Sequence, residues 1–212
     1  MTPLVVASSN PHKVAEIRRM VEAAGVGLDV VSIVDFGRPP HVDETGTTFA
    51  ENAAIKARAF DTWLTERNAP AVRFVVADDS GICIDALDGA PGVSSARFAG
   101  PHATDADNNR ALVDALAARG VDASPAHYAC VLVLLARTAD GAVHEHRLEG
   151  RFDVIVRPVP RGSGGFGYDP HAYLEDGRTV AELTADEKDA ISHRGAALRR
   201  MVTFLREHGG VP

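Results

Sequence analysis

The chain has 212 residues, 45% of them apolar, and a formal charge of −7, which suits one globular domain or two lobes sharing a core. That charge excludes broad nucleic-acid binding, which needs a basic stripe to displace counterions from phosphates, so a nucleotide partner would be a small molecule. The two cysteines, Cys83 and Cys130, sit apart in apolar stretches outside any C-x-x-C or Cys/His cluster, as buried thiols in a reducing compartment do. The start MTPLVVASSN lacks a signal-peptide pattern, and the apolar run from Cys130 to Ala136 is too short to span a bilayer. The expectation is a cytoplasmic protein with no membrane partner.

In chain order, Leu4 to Ala7 reads as a short apolar strand, followed through Ser8-Ser9-Asn10-Pro11-His12 by a helix with Val14, Ile17, Val21 and Ala24 on one face and Gly25 as C-cap. Leu28 to Val34 is a second strand. Thr48 and Glu51 form a capping box that opens a helix to about Glu66, with Ala53, Ala57, Phe60 and Leu64 on one face and Asn52 and Lys56 on another. Val72 to Ala77 reads as a strand, and Thr104 caps a helix ending near Gly120. Tyr128 to Ala136 is a buried strand paired across Ala139-Asp140-Gly141 with Val143 to Leu148, and Phe152 to Arg157 is a further strand. Thr184 and Glu187 repeat the capping box, and Ser192 opens a last helix that packs Leu198, Met201, Val202 and Leu205 inward. The mixture predicts an α/β (α+β) fold, with a mixed sheet because the 128–157 region reads as hairpins.

Four groups of residues could carry chemistry. Asp78-Asp79-Ser80-Gly81 follows a buried strand, with no Lys or Arg between Arg73 and Arg97. Such acids read either as hard oxygen ligands for Mg²⁺ at a strand end or as a solvated turn capped by Asp79 or Ser80. Asp43-Glu44 forms a second acidic pair in a loop that could converge on the same ion. Ser8-Ser9-Asn10-Pro11-His12-Lys13, at a strand-to-helix junction, reads as a phosphate cradle of free helix-start amides, hydroxyls and a lysine, and equally as N-capping by Asn10 with Pro11 at N1.

Gly162 to Pro170 contains G-x-G-x-x-G, but Asp169-Pro170 follows where a dinucleotide-binding helix should open, and the Gly-Lys-Ser/Thr of a Walker A loop is absent. It reads as a loop where Phe166 or Tyr168 offers a ring to a base, or as a glycine-rich turn. Lys188 with Ser192-His193-Arg194-Gly195 reads as a donor set for carbonyl or phosphate oxygens, or as an exposed charged helix start. His144 and His146 share a strand face and read as solvated or partnered histidines before metal ligands.

Together these residues resemble the inosine triphosphate pyrophosphatase family, hydrolases of noncanonical purine nucleoside triphosphates. The resemblance runs through Ser8 to Lys13, Glu44-Thr45-Gly46-x-Thr48-Phe49, Glu51-Asn52-Ala53 with Lys56-Ala57, and Ala77-Asp78-Asp79-Ser80-Gly81. It continues through Gly89-Ala90-Pro91-Gly92-Val93-x-Ser95-Ala96-Arg97, Gly165 to Pro170, and Ala181-Glu182-Leu183-Thr184 to Ile191-Ser192-His193-Arg194-Gly195. It implies an elongated central mixed sheet flanked by helices, one domain over residues 1–212 with two lobes and an active-site cleft between them, a homodimer, Mg²⁺ dependence, and hydrolysis of ITP, dITP or XTP to monophosphate and pyrophosphate.

The residue roles it implies are Asp79 as general base, Glu44 and Asp79 as metal ligands, and Ser8, Ser9, Asn10, Pro11, His12 and Lys13 as the triphosphate loop. Lys56 and Ser80 would also meet substrate, and Phe166, Gly167, Tyr168, Asp169, Lys188, His193 and Arg194 would bind the nucleotide. In that reading Lys13 and Lys56 offset phosphate charge, Asp79 orients or deprotonates water, and donors near His193 and Arg194 select a 6-keto purine. Asp85 and Asp88 serve the following turn. Two other readings stay open: a nucleotide sensor that binds without turnover, and a metal-dependent phosphatase or broader pyrophosphatase.

Overall fold

The computed structural model describes residues 2–67, 72–138 and 140–208. Its elements are β1 (Thr2–Val6), α1 (Pro11–Ala24), β2 (Leu28–Ser32), α2 (Phe49–Glu66), β3 (Phe74–Ile84), α3 (Asp105–Ala118), β4 (Ser124–Arg137), β5 (Val143–Val156), β6 (Ala172–Tyr173), α4 (Ala185–Ile191) and α5 (His193–His208), with short 3₁₀ turns between some of them. The strands form one sheet in the order β2-β1-β3-β4-β5-β6. β1 runs parallel to β2 and β3, and β5 antiparallel to β6, which is the mixed sheet expected from the sequence. None of the described helices is long and apolar enough to cross a membrane.

The helix boundaries follow from local chemistry. Asn10 caps α1, accepting hydrogen bonds from the His12 and Lys13 amides, with Pro11 in the first turn, and Gly25 closes the helix at φ 64°. Thr48 with Glu51, Thr104 with Asp107, and Thr184 with Glu187 form reciprocal capping boxes that open α2, α3 and α4.

The strands differ more from expectation. β2 stops at Ser32 rather than Val34, because the Ser32 side chain turns to cap a 3₁₀ turn over Ile33–Phe36. β3 does not end at Ala77. It continues through Asp78 and Asp79 to Ile84, so the two acids lie inside a strand and not at its end or in a solvated turn. The apolar run ends at Ala77, but backbone pairing does not depend on side-chain polarity. β4 begins four residues before Tyr128, and the segments expected as Val143 to Leu148 and Phe152 to Arg157 are one strand. Gly150 interrupts the side-chain pattern without interrupting the ladder, and β4 and β5 match at 14 residues each. The two-residue β6 carries no sequence signal of its own and exists through its pairing with Ile155 and Val156. Ala139, within the turn expected between β4 and β5, lies outside the described residues.

The chain forms two compact units: Met1–Asp79, Val131–Glu149 and Ala196–Pro212 make the first, and Ser80–Cys130 with Gly150–Gly195 the second. β3, β4 and β5 each pass from one unit to the other. In the first, Ala53, Ala57, Phe60, Trp63 and Leu64 of α2 pack on Val5, Val75, Ala77, Val131 and Val133. In the second, Leu112 and Leu116 of α3 join Ile82, Ile84, Tyr128, Val154, Val156 and Tyr168.

Gly81, just past the acids, is fixed by close approach. A Cβ there would stand 2.3 Å from the Ser95 hydroxyl and 2.4 Å from the Gly92 carbonyl oxygen. The Ser95 hydroxyl in turn accepts from the Ile82 amide and donates to Gly92. Gly81→Ala should therefore destabilise the protein by about 1–3 kcal/mol, read as a lower urea midpoint with unchanged slope; an unchanged midpoint would show that the contact yields freely.

Candidate active site

Successive residues of a strand point to opposite faces of the sheet. Asp79 shares its parity with Val75 and Ala77, which pack under α2, whereas Asp78 points the other way. Each acid meets a lysine on its own side. The Lys13 ammonium, from the first turn of α1, pairs with Asp78 Oδ1. Lys56, from the middle of α2, pairs with Asp79 Oδ1 at 2.7 Å and with Glu44 Oε2 at 3.3 Å. Both aspartates are buried, and an isolated buried carboxylate would be very costly. The cations missing from the local sequence thus arrive from two helices far away in the chain.

The Lys56 cluster is asymmetric. Burial pushes the Asp79 carboxyl up to about 6 from an ordinary 3.8, against the pull of Lys56, while Glu44 adds to the rise and Lys13 opposes it. For Lys56, burial acts downward, but Asp79 and Glu44 outweigh it and hold the ammonium above its ordinary value. Asp79 Oδ2 is buried with no hydrogen-bond partner among the described residues. The loop carrying Glu44 is tied to the start of α2: Gly46 donates its amide to Asn52 Oδ1 at 2.8 Å, and the Thr47 and Thr48 amides go to Glu51.

These residues suit a hard divalent cation of a particular kind. Among the described residues no three His, Cys, Asp or Glu side chains gather as a metal cage. Mg²⁺ commonly takes only one or two protein carboxylates and completes its shell with water and substrate phosphates. Glu44 and Asp79 would supply such a pair.

The Ser8 to Lys13 segment differs from an open amide cradle. The His12 and Lys13 amides are held by Asn10 Oδ1 at 2.9 and 3.3 Å, the Val14 amide by the Asn10 carbonyl, and the Asn10 amide by the Ser8 hydroxyl at 3.2 Å. What this start offers an anion is the positive end of α1 and the Lys13 ammonium, with Ser9, Pro11 and His12 on the exposed side.

The second unit holds a separate cluster around Asp169. Its Oδ2 accepts from the Lys188 ammonium at 2.7 Å and the Phe166 amide at 2.9 Å, and its Oδ1 accepts from the Tyr128 hydroxyl at 3.3 Å. Burial, with the Asp169 charge, drives the Tyr128 phenol well above its usual range. Lys188 lies 4.4 Å from the centre of the Phe166 ring and the Arg194 guanidinium 5.8 Å. Arg194, fully buried, donates to the Ser80 hydroxyl at 2.8 Å, and His193 stacks on Tyr128 at 4.9 Å. Tyr168, the other candidate ring for a base, is buried and donates its hydroxyl to the Ser95 carbonyl at 2.8 Å, which leaves Phe166 as the half-buried ring of the loop.

Lys188, His193 and Arg194 are thus buried members of a network and not an exposed helix start, the alternative left open by the sequence. Sequence reasoning missed Tyr128, seen only as the start of a strand, and the anchoring role of Asn52. His146 meets the Phe204 ring at 4.1 Å, apart from both clusters.

The profile of the Ham1 family matches residues 4–204 of this chain. A dITP/XTP pyrophosphatase of Streptomyces coelicolor is 45% identical over 209 residues, covering 98% of each chain. One from Nitrosomonas europaea is 45% identical over 213 residues, covering 100% of this chain and 98% of its own. Among solved structures, a HAM1 protein from Coxiella burnetii superposes with a TM-score of 0.81 at 38% identity, over 98% of this chain and 100% of its own.

The raised Asp79 carboxyl has a consequence for stability. Between pH 3.8 and about 6 the folded chain keeps a proton that the unfolded chain has released, so this group's contribution is fully present below that window and lost as pH rises through it. Asp79→Asn lacks that dependence. In chelator-treated protein its melting temperature relative to the original chain should climb from about pH 4 to about pH 7 in calorimetry; a flat or falling difference would contradict the raised carboxyl.

Proposed function

The chain belongs to the Ham1 family, and from that premise we propose that it hydrolyses the noncanonical purine nucleoside triphosphates dITP, XTP and ITP to the monophosphate and pyrophosphate. The relatives named dITP/XTP pyrophosphatase support this reading. The observation that carries it is Lys56 set against both Asp79 and Glu44, with one Asp79 oxygen buried and unpartnered.

Phosphoryl transfer leaves a protein little covalent work, and catalysis rests on positioning and charge stabilisation. Lys13 and Lys56 would offset the triphosphate charge. Lys56 engages Asp79 Oδ1, which leaves Oδ2 to accept a proton from the attacking water. A carboxyl raised to about 6 is still largely ionised at neutral pH and is a stronger base than an ordinary aspartate. Glu44 and Asp79 would hold a Mg²⁺ ion, which when bound supplies positive charge to the phosphate oxygens.

In the second unit, the Phe166 ring would stack on the purine, with Lys188 and Arg194 beside it. Donors of the His193-Arg194 segment would pair with a 6-keto oxygen, and the 6-amino group of ATP would leave them unsatisfied. Asp169, bonded to Lys188, the Phe166 amide and Tyr128, would hold Lys188 and the Phe166 loop in place. Cys83 and Cys130, present as thiols and not joined in a disulfide, support a reducing, cytoplasmic setting. The homodimer implied by the family resemblance belongs to the same proposal and is tested by sedimentation.

The deciding experiment is product analysis with Mg²⁺ across dITP, XTP, ITP and ATP. Pyrophosphate should be released from the first three, with kcat/KM for ATP lower by about 100-fold or more. Release of orthophosphate instead, or tight binding without turnover, would overturn the proposal in favour of a phosphatase or a sensor. Asp79→Asn should lower kcat by roughly 10²–10⁴-fold with nucleotide affinity retained; near-original turnover would remove Asp79 from the role of base.

A further inference from the structure

The three residues of the Phe166 loop are tied down one by one. The Phe166 amide donates to Asp169, and the Tyr168 hydroxyl to the Ser95 carbonyl. Between them Gly167, at φ 63°, has both its backbone groups taken by one helix. Its amide donates to Asp105 Oδ2 at 2.7 Å, and its carbonyl accepts from Asn109 Nδ2 at 3.0 Å.

Asp105 and Asn109 stand four apart on α3 and so share a helix face. Neither is needed to start the helix, because Thr104 and Asp107 form the capping box. Asn109 keeps its contact at a cost, since its own Oδ1 is buried with no partner among the described residues. A backbone in the left-handed region, gripped at both its donor and its acceptor, has a single orientation. That orientation sets the Phe166 ring immediately before it, beside Lys188 and Arg194.

We propose that Asp105 and Asn109 are positioning residues for base recognition: through the Gly167 peptide they fix the Phe166 ring as the platform for the purine. The proposal rests on the nucleotide reading above and adds to it two residues of α3 that touch no part of the substrate. A platform that stacks equally on the ground state and the transition state contributes uniform binding, so its loosening acts on KM and leaves kcat alone.

The test is steady-state kinetics of Asp105→Ala and Asn109→Ala with dITP and XTP, alongside inorganic tripolyphosphate as a base-free competitive inhibitor. Each variant should raise the nucleotide KM by about 5- to 20-fold with kcat within about 2-fold. The inhibition constant of tripolyphosphate, which has no base to stack, should not move. Asp105→Asn keeps an acceptor oxygen for the Gly167 amide and should restore most of the affinity. Unchanged KM in the alanine variants, or a tripolyphosphate constant that rises in step with KM, would overturn the clamp, the second because it marks general loosening of the fold. The original chain separates the two levels: if it releases no pyrophosphate from any purine triphosphate, the parent reading falls and the clamp's role falls with it. If it is active and the variants match it, the clamp alone falls.

Discussion

Two adjacent carboxylates inside a buried strand can be tolerated only if each finds a cation on its own side of the sheet, and this requirement organises the first unit. Asp78 and Asp79 point in opposite directions, so one lysine could not serve both. Lys13 reaches one from α1, and Lys56 reaches the other from α2. The position of Lys13 depends on the Asn10 cap, and that of Lys56 on the apolar stripe that seats α2 on the sheet. The start of α2 also anchors the Glu44 loop through Asn52 and Glu51, which brings a third carboxylate to Lys56.

The charge is not neutralised evenly. Lys56 is shared between Asp79 and Glu44, and Asp79 carries the consequence in its raised carboxyl and in an oxygen with no hydrogen-bond partner among the described residues. Such a residue stabilises the fold less than a fully paired one would. A base whose second oxygen were also hydrogen-bonded would be more stable and less basic. This is the conflict between stability and chemistry expected where a protein works. The second unit treats its buried acid in the opposite way: Asp169 is held by Lys188, Tyr128 and the Phe166 amide, and the result is rigidity, with a lysine and an aromatic ring held side by side.

Much of this was legible in the order of residue types. Capping boxes at Thr48 and Thr184, the Asn10-Pro11 start and the Gly25 stop are short-range signals, because a helix end must satisfy its own amides and carbonyls within a few residues. The strands were less legible. The sequence pattern ends β3 at Ala77 and divides β5 between Leu148 and Phe152, because alternation and apolarity report which faces are buried and not how far a partner strand extends. The same limit hid β6. At the site, the candidate residues were recognisable as motifs, but their partners were not. Lys13 and Asp78 are 65 residues apart, Asn109 and Gly167 are 58 apart, and Tyr128 and Asp169 are 41 apart. No spacing rule covers such separations.

The sequence by itself determined the helices, their ends, the mixed α/β class and the set of acids, lysines and rings available for chemistry, since each follows from local hydrogen-bond satisfaction or from periodic burial. Only the tertiary structure decided that the acid pair lies within a strand, that its two members face different helices, that the amides at the start of α1 are already taken by Asn10, and that one face of α3 grips the loop bearing Phe166. Those outcomes depend on which distant groups meet inside a medium where an unpaired charge or amide is costly, and that pairing is settled by packing rather than by sequence order.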